Sequence, residues 1–304
     1  MKILIIGLGS IARKHINILK EISSEFKFYA LRSSKLSANW RDVTNLYTWE
    51  EVKSNHYYFS IISCPSSLHL KFIQKLSNLE IPLMVEKPLF VSKNQLNTFI
   101  ESNIKPPMLY VAFNMRFHPL IIFIKQYLLE LKPKILEVNS YCGSYLPDWR
   151  QINHQKTYSS FKNLGGGVHL DLMHEPDYLI HLFGMPFKVN KSYRRVSDIT
   201  KDSYDYSNIT FGYKDFSAQI ILNYYRRDKK RVLEIITSNS TLEIDFKAGR
   251  IVDLVNKCLI FELKGDLMME SYKNQMNYWL EAVEKNHVSI NDYIEANEIL
   301  EKIL

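Results

Sequence analysis

Three side chains of this 304-residue sequence have the types and spacing to move a proton: Lys87, Asp171 and His174. An imidazole titrates near neutral pH, where general acid–base catalysis works best. A lysine enters that range only when burial or a neighbouring positive charge lowers its ammonium from about 10.4. Asp171, three residues before His174, is placed to orient the imidazole or to grip a hydroxyl. Taken alone, His174 reads as a histidine packed inside a helix face. Its company, Lys87 and the run Gly165-Gly166-Gly167, makes it the candidate general base or acid. Such residues suit hydride transfer at a carbon bearing oxygen. A proton must leave or join that oxygen while a cofactor carries the hydride. Cys64 reads as a small buried residue rather than a nucleophile, because no activating base accompanies it.

The elements that must position these groups begin at residues 2–15, KILIIGLGSIARKH. The apolar, mostly β-branched run at 3–6 predicts a strand covered on both faces of a parallel sheet. It enters Gly7-Leu8-Gly9-Ser10-Ile11-Ala12, a G-x-G-x-x-A fingerprint. Gly7 allows the tight turn, Gly9 lets the backbone approach a pyrophosphate, and Ala12 lets the helix close on the strand. Ser10 and Ile11 open that helix, whose free N–H groups and positive dipole end face phosphates. With no ligand, the same string is only a glycine-rich turn.

A second strand at 26–31 ends in Arg32-Ser33-Ser34, where a site for an unphosphorylated ribose carries Asp or Glu. A guanidinium and hydroxyls hydrogen-bond a 2′-phosphate that a carboxylate would repel, so NADP(H) is expected over NAD(H). The strand at 57–63 runs into Cys64-Pro65-Ser66-Ser67-Leu68-His69. That at 81–85 runs into Glu86-Lys87-Pro88, and that at 108–113 into Asn114-Met115-Arg116. Strand ends of this kind are where open α/β sheets bind ligands. Cys64, Pro65, Ser66, His69, Glu86, Lys87, Asn114 and Arg116 therefore join the residues above as expected cofactor contacts.

Repeated β-α alternation up to residue 119 predicts a doubly wound parallel sheet, with 1–119 as a dinucleotide-binding domain. Residues 120–304 read as an α+β domain for substrate binding and oligomerisation. A helix at 120–131, a strand at 134–141 and an amphipathic helix at 168–183 precede alternating segments between 188 and 263. Those segments predict a largely antiparallel open sheet, and terminal helices follow at 270–284 and 291–304, the last able to pack back on the first domain. The fold class is thus α/β followed by α+β. An aromatic loop carries Tyr145, Trp149, Arg150 and Tyr158. With Arg116, Lys87, Asp171 and His174 these are the expected substrate contacts, since aromatic faces stack on sugar rings and arginine grips carboxylate or phosphate. The same residues serve equally well as packing and surface charge. Helices cover one face of the second sheet. Its other face, carrying Ile209, Phe211, Ile220, Leu222 and Tyr224 or their neighbours, predicts a homodimer or homotetramer.

Composition excludes several classes. At 46% hydrophobic and 23% charged residues the chain can bury real cores, so disorder is not expected. The net charge of +7 is spread along the chain without a nucleic-acid signature, and suits an anionic cofactor and substrate instead. No run approaches the roughly 18 apolar residues of a membrane span, and the glycine-broken start does not read as a signal peptide. Cys64, Cys142 and Cys258 lie far apart and form neither a disulfide framework nor a metal cluster. A cytoplasmic, metal-free protein acting on a small molecule is expected.

The strings GLGSIA, CPSSLH, EKPL, FNMRFHP and GGGVHLDLMHEPD, in this order over residues 1–184, resemble the Gfo/Idh/MocA family of NAD(P)-dependent oxidoreductases. The resemblance implies a Rossmann domain, a sugar-type substrate, and Lys87 as the lysine that hydrogen-bonds the reacting oxygen. The family's usual helix reads GGGxLxDxGxHxxD. His174 and Asp177 match its end, whereas Asp171 lies three residues before His174 instead of four, a spacing that still shares one helix face. His169 stands roughly 140° round a helix from His174 and reads as structural. YLPDWR, TYSS and GGGVHLDLMHEPDYL further resemble a subgroup of bacterial surface-sugar and nonulosonic acid pathways. The alternative is a catalytically silent relative that binds dinucleotide for regulation or scaffolding, which need not keep Lys87 or His174.

Overall fold

The computed structural model describes residues 1–304 apart from 37–38, 103, 105, 150–152 and 289–292. Residues 1–113 with 272–302 and 304 form one compact unit, and 114–271 with 303 form the other, against the sequence division at 119/120.

In the first unit, β1 (Lys2–Ile6), α1 (Ser10–Ile22), β2 (Lys27–Leu31), β3 (Val43–Leu46), α2 (Trp49–Lys53) and β4 (Phe59–Ile62) are followed by α3 (His69–Ser77), β5 (Leu83–Val85), α4 (Lys93–Glu101) and β6 (Leu109–Val111). The six strands form one sheet in the order β3-β2-β1-β4-β5-β6, every pair parallel. Ile3, Leu4, Ile5 and Ile6 are buried, each contributing roughly 1.5–3 kcal/mol. The strand order reverses between β1 and β4, and a switch point of this kind opens a crevice at the strand ends. Gly7 and Cys64 leave the sheet there. The short edge strand β3 and helix α2 have no counterpart in the sequence reading. VTNL is too short and too polar to show a period.

The second unit contains α5 (Pro119–Leu131), β7 (Ile135–Tyr145), α6 (Val168–Asp171), α7 (His174–Phe183) and β8 (Lys188–Arg194). Strands β9 (Tyr206–Gly212), β10 (Ser217–Asn223), β11 (Tyr225–Thr237), β12 (Thr241–Asp245), β13 (Arg250–Asp253) and β14 (Cys258–Glu262) follow. Their sheet runs β14-β13-β12-β11-β7-β10-β9-β8 and is antiparallel except for the parallel pair β7 and β10.

Two expectations are corrected here. The predicted helix 168–183 is two helices, broken at Leu172, whose φ of −101° and ψ of 33° leave the helical region. Pro176 is the physical reason: inside a continuous helix its ring would meet the carbonyl of residue i−4, which is Leu172. Near the start of α7 the missing N–H costs nothing. Secondly, Ile209, Phe211, Ile220, Leu222 and Tyr224 are fully buried, because α6 packs on β9 and β10 and α7 on β7. The opposite face carries their neighbours Asn208, Thr210 and Gln219, hydrogen-bonded to one another. The apolar argument for an oligomer at that face therefore fails.

Helix α8 (Leu267–Lys285) and helix α9 (Tyr293–Ile303) end the chain, and from Tyr272 to Lys302 they count with the first unit. Trp279 of α8 is buried against Phe59 and Tyr110, with ring centroids 5.6 and 5.4 Å away. None of the helices formed by the described residues is long and apolar enough to cross a membrane.

Candidate functional site

In the first unit the candidate site is made mainly of backbone. Gly7 has a φ of +86°, and a Cβ there would stand 2.7 Å from the Cα of Cys64. Any side chain at position 7 would push the ends of β1 and β4 apart. Gly9 caps α1 in extended backbone with no side-chain cap and no acidic residue in the first turn. A Cβ at Gly9 would meet nothing within 4 Å. The first N–H groups of a helix lack intrahelical partners, so an uncapped start beside open space can receive an anion. Ser10 is exposed, Ile11 half-buried and Ala12 fully buried, as a helix held close to its strand requires.

Beside this turn lies a cavity of about 610 Å³, lined by Gly7, Arg32, Ser33, Trp49, Cys64 and Pro65 among others. Arg32 donates from Nη1 to Asn45 Oδ1 at 2.9 Å, which turns the guanidinium along the strand ends. These residues suit the phosphates and adenosine of a dinucleotide. Ser34 does not join them in the cavity lining: its Oγ accepts from the Leu36 N–H at 3.1 Å and closes a local turn. Burial pushes the Cys64 thiol up to about 12, the opposite of an activated nucleophile.

Two other expected cofactor contacts have partners within the protein. His69 is fully buried, with Nδ1 3.0 Å from the Pro88 carbonyl and Nε2 3.1 Å from the Cys64 carbonyl. It pins the turn after β4 to the turn after β5, and burial lowers its pKa. Glu86 Oε1 lies 2.7 Å from Nε2 of buried His15 on α1, so its carboxylate ties the end of β5 to that helix. Lys87, half-buried, follows at once, its N–H donating to Glu86 Oε2 at 3.3 Å. The residue expected to act is thus carried by a turn held from both sides.

In the second unit the candidate site is made of side chains. Asp171 ends α6 and is buried. Its Oδ2 accepts from the Tyr224 hydroxyl at 2.6 Å. Burial first, and then the carboxylate beside it, keep that phenol protonated. Tyr224, which the sequence reading assigned to an oligomer face, is the polar residue it missed. The alternation of FSAQIILNYY grouped it with Ile220 and Leu222 on one face but left that face uncovered, and no sequence signal paired its hydroxyl with residue 171. His174 opens α7, half-buried, just beyond the break. Trp149 stands edge-on to Tyr224 with centroids 5.4 Å apart and donates from Nε1 to Ser144 Oγ at 3.0 Å. Tyr158, half-buried, opens a short turn of its own. Tyr145 is covered by Arg227, 4.2 Å from its ring. Arg150 lies outside the described residues.

Arg116 and Asn114, expected to meet ligands, are both engaged by partners within the protein. Arg116 is buried and forks onto Asp177, with Nε 3.0 Å and Nη2 2.7 Å from Oδ1. Removing one partner of such a pair strands a buried charge, at about 3–5 kcal/mol. The Asn114 amide donates to Ser271 Oγ at 2.7 Å. His169 is packed as expected, stacked on Tyr193 with centroids 4.3 Å apart. Burial, with Lys191 and Lys162 adding to it, lowers its pKa to about 4.

Comparison with known proteins agrees with this architecture. Levoglucosan dehydrogenase, in complex with NADH and levoglucosan, superposes with a TM-score of 0.84 at 12% identity, covering 100% of this chain and 96% of that one. Myo-inositol 2-dehydrogenase from Lactobacillus plantarum gives 0.80 at 14% identity, covering 99% and 94%. Biliverdin reductase from Synechocystis sp. PCC 6803, with biliverdin and NADP+, gives 0.81 at 12% identity, covering 99% and 96%. No curated protein sequence matches the chain. Residues 1–108 match the Gfo/Idh/MocA family, described as an oxidoreductase family with an NAD-binding Rossmann fold, and the whole chain has the fold of these three enzymes.

Proposed function

We propose that this chain is a pyridine-nucleotide-dependent oxidoreductase of the Gfo/Idh/MocA family. It moves hydride between nicotinamide C4 and a hydroxyl- or carbonyl-bearing carbon of a sugar, nucleotide sugar or sugar acid. The observation that carries this reading is the uncapped start of α1 with open space beside Gly9. When bound, the nucleotide supplies the hydride exchange. Gly7, Gly9 and the α1 N–H groups hold its pyrophosphate. Arg32 and Ser33 hold its adenosine ribose, with NADP(H) preferred over NAD(H). Lys87 hydrogen-bonds the reacting oxygen and helps move its proton, His174 acts as general base or acid, and Asp171 orients it or grips a hydroxyl. Trp149 and Tyr158 offer aromatic faces to a sugar ring. The similarity in fold to levoglucosan and inositol dehydrogenases supports a sugar-type substrate. The strings YLPDWR and GGGVHLDLMHEPDYL support a cytoplasmic role in bacterial surface-sugar or nonulosonic acid chemistry, and an oligomer is expected as for many such enzymes.

Fluorescence titration of the purified chain with NADPH and NADH is the first test, followed by an absorbance screen of nucleotide sugars and nine-carbon sugar acids. Failure of both nucleotides to bind sinks the reading. Turnover that disappears in Lys87→Ala, with nucleotide affinity kept, supports it. Nucleotide binding with no turnover of any sugar favours the silent relative.

A further inference from the structure

The cavity of the first unit is more positive than the adenosine end of an unphosphorylated dinucleotide requires. Arg32 approaches it from the end of β2, while Lys71 and Lys75 line it from α3. The two lysines are four residues apart and so share one helix face. Lys75 Nζ lies 5.1 Å from the Trp49 ring centroid. Lys71 Nζ lies 5.9 Å from that of Phe72, and both rings line the same cavity. Among the described residues lining it, none is acidic. The neighbouring Glu51 has its carboxylate turned to the N–H groups of Tyr47 and Thr48, at 2.6 and 2.8 Å. Three cations around one walled space repel one another and raise the local potential. A ribose 2′-hydroxyl would neutralise none of that, whereas a phosphomonoester dianion takes charge-assisted hydrogen bonds from all three.

We propose that Lys71 and Lys75, together with Arg32, form a subsite for a phosphate on the ribose 2′-oxygen of adenosine. Helix α3 is then a second determinant of cofactor choice, separate from the strand end. The inference rests on the nucleotide reading of this unit and deepens it.

The test is calorimetric titration of the full chain, without cofactor, using two probes that differ only in the 2′-phosphate: adenosine 2′,5′-bisphosphate and adenosine 5′-monophosphate. Wild type is expected to bind the bisphosphate at least about 30-fold more tightly, the scale of charged hydrogen bonds. Lys75→Gln and Lys71→Gln should each weaken the bisphosphate roughly tenfold and leave the monophosphate within twofold. The double variant should lose most of the preference although Arg32 is intact. Both lysines are exposed, so the variants should fold, and thermal unfolding checks this. An equal loss for both probes would show a merely general attraction and overturn the proposal, as would no loss for either. If wild type binds both probes equally, the subsite alone fails. If it binds neither, the nucleotide reading fails with it.

Discussion

Both candidate sites begin with glycines that lead into a helix, yet the glycines serve opposite ends. At Gly9 a Cβ would meet nothing, whereas at Gly166 it would meet the carbonyl oxygens of Tyr158, Ser159 and Phe161 at 2.3, 2.6 and 2.7 Å. The first glycine faces open space; the second leaves room for the protein's own backbone. The helices differ in the same sense. α1 is unbroken and offers N–H groups, while the segment after Gly167 breaks at Leu172 and offers side chains. A glycine-led helix start is thus an open, uncapped turn in one unit and a packing device in the other.

The largest effect that could break this comparison is catalytic. His174→Asn keeps hydrogen bonding but loses titration near neutrality. Turnover should fall about 10²- to 10⁴-fold, with nucleotide affinity unchanged because the open turn lies in the other unit. Steady-state kinetics beside a binding titration checks both halves. Near-normal turnover would demote His174 to packing.

Next in size is the exchange of the two glycines. Gly166→Ala forces a methyl against backbone that cannot give, and should cost roughly 3 kcal/mol or more. Gly9→Ala should cost less than about 1 kcal/mol at a helix cap while weakening nucleotide binding strongly. Chemical denaturation and nucleotide titration of each variant would reveal a reversed pattern, which the comparison does not survive.

Tyr224→Phe tests the side-chain character of the second site. It leaves the ring in place and takes one donor from a buried carboxylate, a loss of roughly 1–3 kcal/mol. The fall should show in denaturant unfolding, and turnover should fall with it. A variant unchanged in both would mean that the contact with Asp171 carries no energy.

The last effect concerns pH and is small near neutrality. His169 is held neutral in the fold with a pKa near 4, below the unfolded value of about 6.5. The unfolded chain therefore binds more protons between these values. Stability contributed by this site is complete above pH 6.5 and falls on acidification towards pH 4, by roughly 1.4 kcal/mol per unit. His169→Phe, which preserves the stack on Tyr193, should flatten melting temperature against pH in that window. An unaltered slope would assign the dependence to other groups.

Much of the first unit was legible because its devices are local. A β-branched run, two glycines and a small residue act on their immediate neighbours, so their order in sequence is their order in space. The break at Leu172 was not read, although Pro176 marks it, because the apolar period continues across it. The partners of polar side chains were not legible. His15 and Glu86 are 71 residues apart, Arg116 and Asp177 61, and Asp171 and Tyr224 53. From sequence, Glu86 and His69 could be assigned only to a ligand, and Arg116 to a ligand or to packing, since nothing nearby in the chain satisfied them. The sequence by itself determined the parallel sheet and the glycine turn after its first strand, because periodicity and glycine geometry are properties of short segments. Only the tertiary structure decided which polar groups remain for a ligand. A buried donor or acceptor left unpaired costs about 1–3 kcal/mol, and whichever group folding brings within 3 Å, however distant in the chain, claims it first.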